Sequence, residues 1–81
     1  MSKLPAPRFK DGDQIKEFRR KYDLNQTSFW SVVGMTQSAG SRYESGREIP
    51  RPLHFLLTLA YGTDGQAAKV IDYLRAWKKK P

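Results

Sequence analysis

Residues 24–46 read LNQTSFWSVVGMTQSAGSRYESG, and the fold of the chain depends on how this run is parsed. Gly34, Gly40 and Gly46 recur every six residues, which suggests a flexible loop that cradles phosphate. Such a loop needs four residues between its glycines, then Lys and Ser or Thr, after a strand. Here five residues separate Gly34 from Gly40, and Ser41-Arg42 follows. What precedes Gly34 has the pattern of a helix: Asn25 is a good N-cap, and Phe29, Trp30 and Val33 line a short helix that stops at Gly34. Thr36 can cap the next, running from Gln37 to about Glu44 and stopping at Gly46.

Outward from this pair, residues 1–12 hold Pro5, Pro7 and Gly12 among Lys3, Arg8, Lys10 and Asp11 with no periodicity, so they are expected to form a flexible basic arm. From Asp13, read as an N-cap, Ile15, Phe18 and Tyr22 follow helical spacing and predict a first helix ending near Tyr22-Asp23. Pro52 suits the first position of a fourth helix with Leu53, Leu56, Leu57 and Ala60 as its apolar stripe, ending at Tyr61-Gly62. Asp64 caps a fifth, with Ala67, Val70, Ile71, Leu74 and Trp77 on one face and Lys78 to Lys80 at its C-terminus, where cations suit the helix dipole. Five short helices without an alternating strand pattern predict an all-α fold. The expected division is an arm over 1–12, a core over 13–62, and a C-terminal helix with a basic tail over 63–81.

The chain has 81 residues and no Cys. A domain this small buries only about 60–65% of the surface its unfolded chain exposes, so packing has little to spare. Neither disulfides nor a Cys/His zinc set can supplement it, and no metal or other cofactor is expected. His54, the single histidine, is expected on the polar side of the fourth helix with no catalytic or metal role. No nucleophile–base pair or carboxylate dyad is evident, so the chain reads as non-enzymatic, without catalytic residues. There is no apolar run near the roughly 20 residues of a membrane span, and MSKLPAPRFK lacks a signal-peptide core. A cytoplasmic protein without membrane association is the expectation. Phe18, Phe29, Tyr43, Phe55 and Leu56 are expected in the core, and Trp77 in the core or an interface.

Fifteen Lys and Arg against eight Asp and Glu give a net charge of +7, which favours a polyanionic partner. The excess is uneven: +4 over residues 1–21, −1 over 22–46, +1 over 47–62 and +3 over 63–81. A sequence-blind binder would spread its cations along the binding face. A neutral, amide-rich centre between basic ends fits a reader with electrostatic clamps, although basic ends also simply aid solubility.

Two short helices around a Gly-containing turn form a helix-turn-helix, whose second helix presents its N-terminal residues to base edges in the major groove. Those residues are Thr36, Gln37, Ser38, Ser41 and Arg42. Gln can bond adenine bidentately, Ser can bond several bases, and Arg is the commonest partner of guanine. The same composition also suits a solvated polar helix.

Residues 24–46 resemble the lambda-repressor/Cro-like (XRE-type) helix-turn-helix, in particular the lambdoid phage repressors. Gln26 opening the second helix, Gly34 at the turn, Gln37 three residues on and Glu44-Ser45-Gly46 closing the third helix all fall in register with that pattern. The likeness extends weakly from Ile15 through Pro50 to Gly62 and leaves both ends uncovered. It implies a compact five-helix DNA-binding domain that acts on double-stranded DNA as a homodimer, pairing through the fifth helix. It also implies roles. Gln26 would bond a phosphate and brace Gln37, which would read an adenine. Ser38 and Arg42 would face bases, with Ser41 nearer the edge. Asn25, Thr27 and Arg47 would anchor the DNA backbone, with Arg51 a looser candidate because the loop prolines depart from lambdoid spacing. Arg19 would pair with Glu44 as a structural ion pair.

Trp30 stands where the family has a small residue and Gly40 where it has Ile or Val, at sites that face each other across the helix pair. Either the indole fills the space Gly40 leaves, or Gly40, at about 1 kcal/mol relative to Ala, weakens the third helix. The functional expectation is a transcriptional repressor or autoregulator reading DNA with residues 36–43. Rival readings are an antitoxin that also represses its own operon and binds a toxin partner, and a non-specific nucleic-acid binder using the basic ends.

Overall fold

Five helices follow one another in a computed structural model that describes residues 4–79. They are α1 (Gly12–Lys21), α2 (Gln26–Ser31), α3 (Gln37–Glu44), α4 (Arg51–Tyr61) and α5 (Asp64–Arg75), and a 3₁₀ turn over Ala76–Lys79 extends α5. No strand occurs among the described residues, and the expected all-α class stands. Lys3 of the arm and Lys80 and Pro81 of the tail lie outside the described residues.

Side-chain caps set the helix starts. Asn25 accepts from the Ser28 amide at 2.7 Å and Thr36 from the Ala39 amide at 3.1 Å, as expected from their positions. Two caps differ from expectation by one or two residues. Asp11, not Asp13, accepts from the Gln14 amide and starts α1. Thr63, not Asp64, caps α5 in a reciprocal box with Gln66, which satisfies two amide donors rather than one. Pro52 sits one residue inside α4, behind Arg51, with Pro50 at the cap. α2 ends at Ser31, and residues 32–34 form the turn to Gly34 at φ 77°.

The buried set is Phe9, Ile15, Phe29, Trp30, Val33, Ile49, Leu53 and Leu57, with Phe18, Leu24, Met35, Tyr43 and Tyr61 packed on it. Phe9 corrects the reading of residues 1–12 as arm throughout. Its ring meets Phe18 and Phe29 edge-on at 5.3 and 5.9 Å, and Arg8 lies over it with Cζ 4.7 Å from the ring centroid. The neighbouring main chain is held too: the Arg8 amide donates to Thr58 Oγ1 at 3.0 Å and Arg8 Nε to the Tyr61 carbonyl at 3.1 Å. Tyr61 stacks on Phe29 at 4.2 Å and donates its hydroxyl to the Phe29 carbonyl at 2.7 Å, so burial of the ring raises the phenol's pKa without leaving it unpaired. On α4, Leu56 and Ala60 are exposed, and Thr58 takes the buried place. Its hydroxyl bonds back to the His54 carbonyl at 2.8 Å, which makes a polar side chain acceptable there. Phe55 is half-buried and packs on Tyr73 with ring centroids 5.6 Å apart.

Helix α3 lies against both α1 and α2 because glycine permits the approach. A Cβ on Gly40 would overlap Cγ and Cδ1 of the Trp30 indole, which is fully buried. The indole therefore occupies the volume that a larger residue at 40 would need, as the volume-exchange reading requires. On the other side, a Cβ on Gly12 of α1 would fall 2.6 Å from Cα of Glu44.

Candidate nucleic-acid interface

The first turn of α3 projects from the domain. Thr36, Gln37, Ser38 and Arg42 are exposed, whereas Ser41 is half-buried. Helical geometry puts Ser38 and Arg42, four residues apart, on one face, and Gln37 beside them. Asn25, Thr27, Arg47 and Arg51 are exposed too, at the cap and in the first turn of α2, in the α3–α4 loop and at the first position of α4. Arg47 lies with Cζ 6.0 Å from the Tyr43 ring. Asn25 and Thr36 each use one lone pair of a side-chain oxygen as a cap, which leaves the Asn25 amide nitrogen and the Thr36 hydroxyl proton as donors to another molecule.

Beneath this surface runs a chain of directed bonds. Gln37 Nε2 donates to Gln26 Oε1 at 2.7 Å, and Gln26 Nε2 donates to Glu44 Oε1 at 3.2 Å. Glu44 is only 2% exposed. Arg19 holds its carboxylate bidentately, Nη2 to Oε1 at 2.7 Å and Nε to Oε2 at 2.9 Å, and Trp30 Nε1–H adds a bond to Oε2 at 2.8 Å. Arg19 Nη1 donates to the Leu24 carbonyl at 3.0 Å, which ties the α1–α2 turn to the same guanidinium. Burial alone would raise the Glu44 pKa. Bonds from Arg19, Trp30 and Gln26, with the guanidinium's charge, outweigh it and hold the carboxyl below its ordinary range. The buried group is thus a carboxylate at neutral pH.

The structure brings Arg19, Gln26, Trp30, Gln37 and Glu44 into one network and leaves Thr27, Ser38, Arg42, Arg47 and Arg51 as separate exposed groups. The Arg19–Glu44 and Gln26–Gln37 pairs were expected as separate devices; the bond from Gln26 to Glu44 that joins them, and the bond that Trp30 adds to the same carboxylate, were not. A signal existed: a buried Trp needs an acceptor for its N–H.

Behind the α3–α4 loop, residues 4–7, the start of α1, and α4 enclose a cleft of about 420 Å³ rimmed by Lys10, Arg47 and Arg51. His54 lines it, half-buried, and burial lowers its pKa, so the imidazole is neutral at pH 7. No group of three His, Cys, Asp or Glu that could hold a metal ion occurs among the described residues. No helix among them is long and apolar enough to cross a membrane.

No curated protein and no solved structure shows significant similarity to the chain. Residues 16–60, more than half of the chain, match a family model described as the RsaL-like HTH domain. The matched span runs from α1 through α4 and contains every member of the network. The chain therefore belongs to the RsaL-like helix-turn-helix family and is a helix-turn-helix DNA-binding protein.

Proposed function

We propose that the protein is a sequence-specific transcriptional repressor of lambda-repressor/Cro-like (XRE-type) docking geometry, which reads the major groove with residues 36–43. The observation that carries this reading is Gln37. It stands exposed on the first turn of α3, yet its amide is already oriented by a 2.7 Å bond to Gln26. A pre-oriented amide beside an exposed Ser38 and Arg42 suits base readout, and the exposed Asn25, Thr27, Arg47 and Arg51 suit phosphate contacts that set the register. Occupancy of an operator is sufficient for repression and for autoregulation.

The protein acts as a homodimer in this reading. Ile71 and Leu74 of α5 are each 44% exposed and Trp77 is 68% exposed, an apolar surface at the C-terminal end that a second copy would cover. Two-fold pairing puts the reading helices on half-sites about 34 Å apart, one helical turn of DNA. Selection of DNA from a random pool at about 150 mM salt, where unspecific phosphate binding is weak, tests both statements. The expected product is a two-fold or repeated motif with that spacing. A pool left without a motif overturns the reading in favour of unspecific binding.

A further inference from the structure

We propose that Glu44, held by Trp30, is a positioning residue that sets the direction in which Gln37 presents its amide to DNA. The inference rests on the proposed reading role of Gln37 and adds how that role is specified from the core.

A primary amide carries a donor end and an acceptor end of nearly the same shape, and nothing in its packing decides which faces which way. A carboxylate has only acceptors. Glu44 Oε1, buried and charged, therefore admits Gln26 in one sense only, with Nε2 toward it. That leaves Gln26 Oε1 pointing outward, and it in turn admits Gln37 only with Nε2 inward, at 2.7 Å. The sense of an exposed amide on α3 is thus fixed two bonds away by a charge in the core. Gln37 keeps one N–H and its oxygen for DNA, the pair that matches N7 and N6–H of adenine. The opposite sense in the same docked position would set oxygen against N7, two acceptors facing each other.

Trp30 enters because Oε2, bonded by Arg19 Nε alone, would keep a second lone pair to which Gln26 could turn. Arg19 bonds both oxygens and does not distinguish them. The indole N–H, 2.8 Å from Oε2, comes from a ring locked in place by Gly40 and by full burial, and it leaves Oε1 to Gln26. The residue at position 30 therefore does more than fill volume: it supplies a donor that a larger residue at 40 with a small residue at 30 would not supply.

The test compares base preference at a single position in three variants, Glu44→Gln, Trp30→Phe and Gln37→Ala, by binding to the selected operator and its single-base variants. Circular dichroism and a cooperative melt establish that each variant is folded. Glu44→Gln keeps the shape and removes the acceptor-only character; Trp30→Phe keeps a ring against Gly40 and removes the donor. In the proposed mechanism both reduce discrimination at the base pair that Gln37→Ala identifies, by about tenfold, the scale of one bidentate base contact. Preference at the other positions is unchanged, which a general loss of stability would not produce. If both variants discriminate like the parent while Gln37→Ala does not, the proposal is overturned and the reading role of Gln37 stands. If Gln37→Ala itself leaves base preference intact, the reading role fails and the proposal with it. Where Glu44→Gln does not fold because Arg19 loses its counter-charge, Trp30→Phe, whose carboxylate keeps Arg19, decides between the same outcomes.

Discussion

Between α1, α2 and α3 the side chains meet through directed bonds, and between α4 and α5 they meet mainly as apolar surfaces. In the first region one buried carboxylate receives bonds from Arg19, Gln26 and Trp30, and two glycines let the backbones close on it. In the second, Val70 is buried while Leu56, Ile71 and Leu74 remain substantially exposed. Directed bonds fix positions to within tenths of an ångström and tolerate little change. An apolar face tolerates much change and gains order from whatever covers it. The domain thus reads DNA with its rigid half and keeps its adaptable half for association, in the proposed mechanism.

Removing Arg19 breaks the contrast most severely. Arg19→Ala leaves a carboxylate in the core without its ion, and a loss of roughly 3–5 kcal/mol is expected from urea denaturation. Leu56→Ala, on exposed α4 surface, should change stability by no more than about 0.5 kcal/mol. The acid limb checks the same pair. The Glu44 pKa is lowered in the folded state, so the pair's contribution is present above the ordinary value of 4.5 and is lost as pH falls through the folded value. Arg19→Ala should flatten the fall in stability below pH 4.5; an unchanged acid limb would mean that the pair contributes little.

Gly40→Val drives a Cβ and two methyl groups into the indole, and overpacking of this kind costs about 1–3 kcal/mol or more. A melting temperature equal to that of the parent would show that Trp30 can move aside and that the packing is not fixed. Gln37→Ala should leave the melt unchanged, cost about 1–3 kcal/mol of operator binding and relax one base pair, while Arg47→Ala weakens all sequences alike and lowers the salt slope by about one. On the adaptable side, Ile71→Lys with Leu74→Lys should preserve the helical spectrum and yield a monomer in sedimentation; a persistent dimer would relocate the interface. The smallest effect belongs to His54. Its pKa is lowered by burial, so the folded state resists protonation and stability slips as pH falls below about 6.5. His54→Gln should remove that shallow slope, which thermal melts across that range resolve.

Much of the fold was legible because caps and turns are local. Asn25, Thr36, Gly34 and Gly46 act where the sequence puts them, since a cap depends only on the next three residues. What escaped was lateral. Phe9 sits among prolines in a stretch with no helical period, and only the position of Phe18, Phe29 and Tyr61 in space makes it core. Thr58 reads as polar until its hydroxyl is seen to bond the preceding turn. The α5 cap moved from Asp64 to Thr63 because the Gln66 side chain returns to the Thr63 amide, a reciprocal pattern that a single-residue reading overlooks. At the candidate site, spacing names the residues proposed to read DNA and the resemblance names the pairs, but neither joins the pairs. The link is the bond from Gln26 to the Glu44 carboxylate, visible only once α1, α2 and α3 converge on Glu44.

The two tryptophans also make the chain its own optical probe. Trp30 is sealed in the interior against a carboxylate, and Trp77 stands 68% exposed at the far end. Emission from the first shifts to the red only when α2 and α3 part, whereas emission from the second shifts to the blue when something covers the end of α5. One spectrum therefore separates loss of fold from gain of a partner without any added label, and Trp77→Phe assigns the two signals.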